Sequence, residues 1–155
     1  MDQLSMKTVI DRAIKNEEDA HLFYMSLYNT VADPVAKEAL GFLAAEELKH
    51  KEFLEKFLMG IKSSLGRTVP STVDYKIAQY VSMPDIKKDM TTSEVYLVAA
   101  HREWNSYLFY TGLAGIQPEG ELKTMLLQIA AEELKHKEKV EYLYANTEFT
   151  QTSGG

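Results

Sequence analysis

The residues Ala44–Glu52 read AAEELKHKE, and Ala130–Glu138, 86 positions later, read AAEELKHKE again. Each copy holds a Glu three positions before a His: Glu47 with His50, and Glu133 with His136. On a helix this spacing turns the two side chains roughly 60° apart on one face, so a carboxylate and an imidazole can reach the same metal ion. A single Glu-x-x-His would read as a chance surface pair. Two copies at equal offset read as a duplicated metal half-site.

The repeat runs well beyond those nine residues, as a search for internal periodicity exposes. Glu17 recurs as Glu103, Ala13 as Ala99, Leu27 as Leu113, and Leu22-Phe23-Tyr24 as Leu108-Phe109-Tyr110. Each half thus supplies a lone Glu and, thirty residues later, a Glu-x-x-His. The expected ligand set is Glu17, Glu47, His50, Glu103, Glu133 and His136. Four buried carboxylates are costly unless compensated, and two divalent cations balance their charge while two neutral imidazoles complete the shell. Oxygen-rich ligands with one imidazole per ion suit iron, with manganese or zinc as alternatives. Glu47 and Glu133 are expected to bridge, because each shares a helix with a His. Glu17 and Glu103 are then terminal, and the two halves near-equivalent.

Four helical patterns carry these residues, each with its ligand on the apolar stripe. The first runs from about Leu4 to Val31, and Asp33-Pro34 separates it from the second, which reaches Lys62 with Phe57, Leu58 and Ile61 on its stripe. The third opens on Thr91-Thr92-Ser93-Glu94, a capping-box pattern. The fourth runs from about Pro118 to Ala145. Residues 1–147 are expected to form one domain and 148–155 a flexible tail. Between the second and third helices lie about thirty residues, with Gly66, Pro70 and Pro84 as breakers and a short helix near Asp74–Val81. That is too long for a simple turn and long enough to run the length of a bundle. The fold class is therefore all-α: a four-helix bundle of two αα-hairpins with a long crossover between helices 2 and 3.

Around the ligands, Tyr24 and Tyr110 lie two turns beyond Glu17 and Glu103 and are candidates for hydrogen bonds to ligand carboxylates. His21, one turn after Glu17, is a reserve ligand. His101 has no repeat-related partner and is assigned to the helix surface. Glu46, Glu132, Lys49, Lys135, Lys51 and Lys137 fall off the stripe and are assigned to a solvated face.

Composition excludes several alternatives. At 155 residues and 45% hydrophobic content the chain can bury a single-domain core. A net charge of −6 disfavours nucleic acid and anionic membrane surfaces. The absence of cysteine excludes disulfides, thiolate-ligated zinc, iron–sulfur centres and a thiol nucleophile. The opening MDQLSMKTVI has no basic segment followed by an apolar stretch, and no apolar run approaches the ~20 residues that span a bilayer, so a cytoplasmic location is expected.

With Glu17, Glu47/His50, Glu103 and Glu133/His136 in place, the chain resembles the ferritin-like di-iron carboxylate superfamily, and within it the rubrerythrin-like branch. The resemblance covers roughly Ile10 to Ala145. Its specific part is the doubled Glu46-Glu47-Leu48-Lys49-His50 and Glu132-Glu133-Leu134-Lys135-His136. It implies a ferritin-like bundle holding two iron ions that reduces H2O2 or O2, with an external electron donor and a homo-oligomer, a dimer being favoured. Two departures stand out. Rubrerythrins carry a Cys-rich rubredoxin module, and this chain has no cysteine. They also carry a further Glu one turn after the third-helix ligand, where Ser106 stands here. The alternatives are a ferroxidase or iron-storage protein of ferritin type and a metal-free interaction bundle.

Overall fold

The computed structural model describes residues 3–66 and 73–153. Among them lie five helices and no strand: α1 (Gln3–Thr30), α2 (Pro34–Leu58), α3 (Ile77–Tyr80), α4 (Thr92–Gly115) and α5 (Glu121–Ser153). The molecule is all-α, with α1 packed chiefly on α2 and α4 chiefly on α5 as two hairpins, and the stretch bearing α3 crossing between them. No described helix is long and apolar enough to cross a membrane.

Local chemistry fixes the helix ends. Asp33 caps α2 by accepting from the Val35 amide, with Pro34 in the first turn, where its missing N–H leaves no bond unmade. Thr91 and Glu94 form a reciprocal capping box at α4. At the end of α2, Gly60 takes φ 76° while the Ile61 amide bonds the Lys56 carbonyl and the Gly60 amide bonds that of Phe57. This left-handed stop is natural for glycine and ends the helix at Leu58, short of the Lys62 expected from the apolar pattern. Ile61, expected on the buried stripe, is 50% exposed. In contrast α5 outruns the expected end at Ala145, and its helical backbone continues to Ser153 through most of the segment assigned to a tail. The short crossover helix is present as four residues, Ile77–Tyr80; Pro70 lies outside the described residues.

The apolar core is divided in two. One cluster includes Tyr24, Leu27, Leu40, Leu43, Ala44 and Ala99; the other includes Ala13, Leu54, Tyr110, Leu113, Leu126 and Ile129. Repeat-related residues fall on opposite sides: Ala13 and Ala99, Tyr24 and Tyr110, Leu27 and Leu113, Leu40 and Leu126 each have one member per cluster. The sequence duplication is therefore a pseudo-two-fold that exchanges the two ends of the bundle. Between the clusters, at the level of that axis, lies a polar layer.

Candidate metal centre

Four helices each deliver a carboxylate into this layer: Glu17 from α1, Glu47 from α2, Glu103 from α4 and Glu133 from α5, with His50 and His136 one turn after the second and fourth. All six side chains are buried. The sequence-predicted residues come together as two overlapping groups. Glu17, Glu47, His50 and Glu133 each offer one ligand atom, all within 4.8 Å of one another, and Glu47, Glu103, Glu133 and His136 do the same. Glu47 and Glu133 belong to both groups, while Glu17 and Glu103 belong to one each.

The imidazoles face the carboxylates through Nδ1. His50 Nδ1 lies 2.9 Å from Glu133 Oε1 and 3.5 Å from Glu17 Oε1. His136 Nδ1 lies 3.7 Å from Glu133 Oε1 and 3.8 Å from Glu103 Oε2. The two rings are nearly parallel, 16° between planes, with centroids 5.7 Å apart.

The tyrosines work crosswise. Tyr24, on α1, donates to Glu103 Oε1 on α4 at 2.9 Å, and Tyr110, on α4, donates to Glu17 Oε1 on α1 at 2.5 Å. Each ring thus serves the other half of the repeat. In this layer the buried atoms without a hydrogen-bond partner are Oε2 alone of Glu17 and of Glu103, both carboxylate oxygens of Glu47 and of Glu133, Nδ1 of both histidines and Nε2 of His136. Buried polar atoms are nearly always paired, so so many orphans in one layer fit cations that the side chains are arranged to hold.

The electrostatics agree. Burial raises Glu17 to about 8, with the Glu133 charge adding to the effect. Burial, then neighbouring carboxylates, pushes Glu47 well up, and burial also raises Glu103. For Glu133 burial acts upward, but His50 and His136 more than offset it and hold the group below its ordinary value. Burial lowers the basicity of both imidazoles, yet the surrounding carboxylates leave His50 and His136 raised. Without cations the cluster therefore keeps protons to stay near neutrality. Two divalent ions would supply the same four charges that four carboxylates carry, and an oxygen-rich set with one imidazole per ion is a donor chemistry suited to iron or manganese.

Other expectations need correction. His21 is not turned into either group; its Nδ1 lies 3.0 Å from the Ala44 carbonyl and ties α1 to α2. Glu46, Glu132 and Lys137, expected on a solvated face, are buried, whereas Lys49 is exposed and Lys51 and Lys135 are half-buried. Lys137 Nζ binds Asp74 at 2.9 Å and Glu141 at 3.0 Å, and Glu141 also accepts from the Ala78 amide. His101 holds the crossover through the Val81 carbonyl at 2.7 Å. Ser106 is buried and accepts from Asn16 Nδ2 at 3.0 Å. Asn16 was not singled out by the sequence, where its repeat mate is Arg102.

A family model described as Rubrerythrin matches residues 8–144. No curated protein and no solved structure matches the chain. With nearly the whole bundle inside that match, the chain belongs to the rubrerythrin family.

Proposed function

We propose that the chain is a di-iron oxidoreductase that reduces hydrogen peroxide or dioxygen at a site held by Glu17, Glu47, His50, Glu103, Glu133 and His136. The observation that carries the reading is the distribution of unpaired oxygens. Glu47 and Glu133, common to both ligand groups, have two each, as a bridge between ions requires; Glu17 and Glu103 have one each, as a terminal ligand requires.

Two redox-active ions would supply the electrons that cleave the O–O bond and the positive charge that stabilises the oxygens as they separate. The protein's own part is positioning. Tyr24 and Tyr110 fix one oxygen of each terminal carboxylate, which leaves Oε2 unpaired and available to hold an ion. The apolar clusters on either side of the layer exclude water, so the charges inside act at a lower effective dielectric. Reduction of H2O2 to two waters consumes two electrons and two protons. In this reading the electrons are supplied by an external donor. A cytoplasmic setting and a homodimer complete the reading.

The test is elemental analysis of the purified protein, followed by peroxide consumption in the presence of a chemical reductant. The expected result is two iron ions per chain and reductant oxidised in step with peroxide. Uptake of many iron ions per chain by a large shell, seen as an early size-exclusion peak, would favour storage instead. Protein that carries no metal and is unaffected by chelation would favour an interaction bundle.

A further inference from the structure

The sequence repeat makes the two halves of the site equal, but the surroundings of the two histidines are not. His136 Nε2, on the ring edge away from the carboxylate layer, lies 3.4 Å from Glu46 Oε1, an ion-pair distance short of hydrogen-bond geometry, and has no other hydrogen-bond partner. Glu46 is on α2 and is buried, 6% exposed. One turn earlier on α2, Phe42 meets the same ring edge-on, centroids 6.1 Å apart at 82°. Phe42 and Glu46 together therefore cover the outer edge of His136 with an apolar wall and an anion.

The repeat-related residues on α5 do not do this for His50. The mate of Phe42 is Gln128, which is exposed. The mate of Glu46 is Glu132, which pairs with Lys135 at 3.9 Å. The carboxylate contacts of His50 all run through Nδ1. His50 also retains 4% exposure where His136 has none.

A neutral imidazole that offers Nδ1 to an ion carries its proton on Nε2, and that proton needs an acceptor. A carboxylate in that position fixes tautomer and ring orientation and makes the ligand nitrogen more basic. Glu46 is also paired with Lys49 at 2.9 Å, but Lys49 is largely exposed and its charge is screened by water.

We propose that Glu46 is a positioning residue for His136, so that the two metal positions are unequal and the one bounded by His136, Glu103, Glu47 and Glu133 binds its ion more tightly and fills first. The inference rests on the di-metal reading above and adds an order of loading to it. In the alternative, Glu46 serves only its 2.9 Å pair with Lys49 and does not act on the ring.

The experiment titrates metal-free protein with Co2+ and follows visible absorption, for the wild type and for E46A, E46Q and E132A. Wild type is expected to bind in two resolved steps. E46A should weaken the tighter step about 10- to 100-fold and leave the weaker step in place. E46Q, which keeps an acceptor without the charge, should fall between, and it carries the test if E46A does not fold by circular dichroism. E132A should retain both steps. Two equal steps in the wild type, or equal shifts in E46A and E132A, overturn the inference alone. Wild-type protein that takes up no Co2+ overturns the di-metal reading and the inference with it.

Discussion

Tyr24 Oη sits 2.9 Å from Glu103 Oε1, although the two residues belong to different hairpins. Its repeat mate Tyr110 makes the reciprocal bond to Glu17. The duplication therefore interlocks: each tyrosine orients a carboxylate that its own hairpin does not supply. All four groups are buried, so neither bond can be replaced by water.

Tyr24→Phe and Tyr110→Phe should each destabilise the metal-free protein by about 1–2 kcal/mol, the range for a buried hydrogen bond whose partner is left unsatisfied. Because the bonds are related by the pseudo-two-fold, the two values should be similar. Urea unfolding at fixed pH measures both. A loss below about 0.3 kcal/mol in either variant would mean that the ring is only core packing at that position.

Stability of the metal-free protein should fall as pH rises from about 5 to 8. Glu17, Glu47 and Glu103 have folded-state values above 4.5, and His50 and His136 have values above 6.5, so the folded state holds more protons than the unfolded chain in this window. Each such proton contributes stability at the acid side that is lost at about 1.4 kcal/mol per pH unit, for Glu17 until about 8. Glu133 has the opposite sign, being held low, but its contribution is complete above 4.5 and adds no slope here. Metal ions displace these protons, so metal affinity should rise over the same pH range. Thermal melts with and without metal across pH 5–8 check both. Parallel pH profiles for the two forms would contradict the assignment of the titrating groups to the site.

Removing a shared carboxylate should differ from removing a terminal one. Glu47→Ala should abolish binding of both ions, because Glu47 belongs to both ligand groups. Glu17→Ala should leave the group of Glu47, Glu103, Glu133 and His136 intact and so retain about one ion per chain. Metal analysis after desalting distinguishes them. Retention of one full equivalent by Glu47→Ala would refute its bridging role.

The six converging side chains were legible because their information is local and duplicated. An i, i+3 pair on a helix fixes its own geometry, and an equal offset carries that geometry to the second half. The hairpin pairing followed from the Asp33-Pro34 break and the long interval before Thr91. What the sequence hid depends on neighbours. Glu46 lies just off its stripe by helical period, yet Phe42 and His136 extend the buried face around it. The end of α2 was marked by Gly60, but the apolar Ile61 beyond it resembled a continuing stripe.

Lys137 shows the same dependence most clearly and yields a sharp contrast. Its repeat mate Lys51 precedes Glu55 as Lys137 precedes Glu141, so the two sequences predict equal environments. The crossover packs over only one of them. Lys137 is 0% exposed, bound to Asp74 and Glu141 and 5.2 Å from the Trp104 ring centroid, while Lys51 keeps a loose 3.7 Å pair with Glu18 at the surface. Glu141 in turn accepts from the Ala78 amide, so the ammonium joins α5 to the crossover. Lys137→Met should cost about 3 kcal/mol by leaving Glu141 buried with its countercharge gone, and should speed hydrogen exchange at the Ala78 amide. Lys51→Met should change stability by less than about 0.5 kcal/mol. Chemical denaturation of the two variants side by side provides the comparison, and equal losses would show that burial by the crossover is not what separates these two lysines.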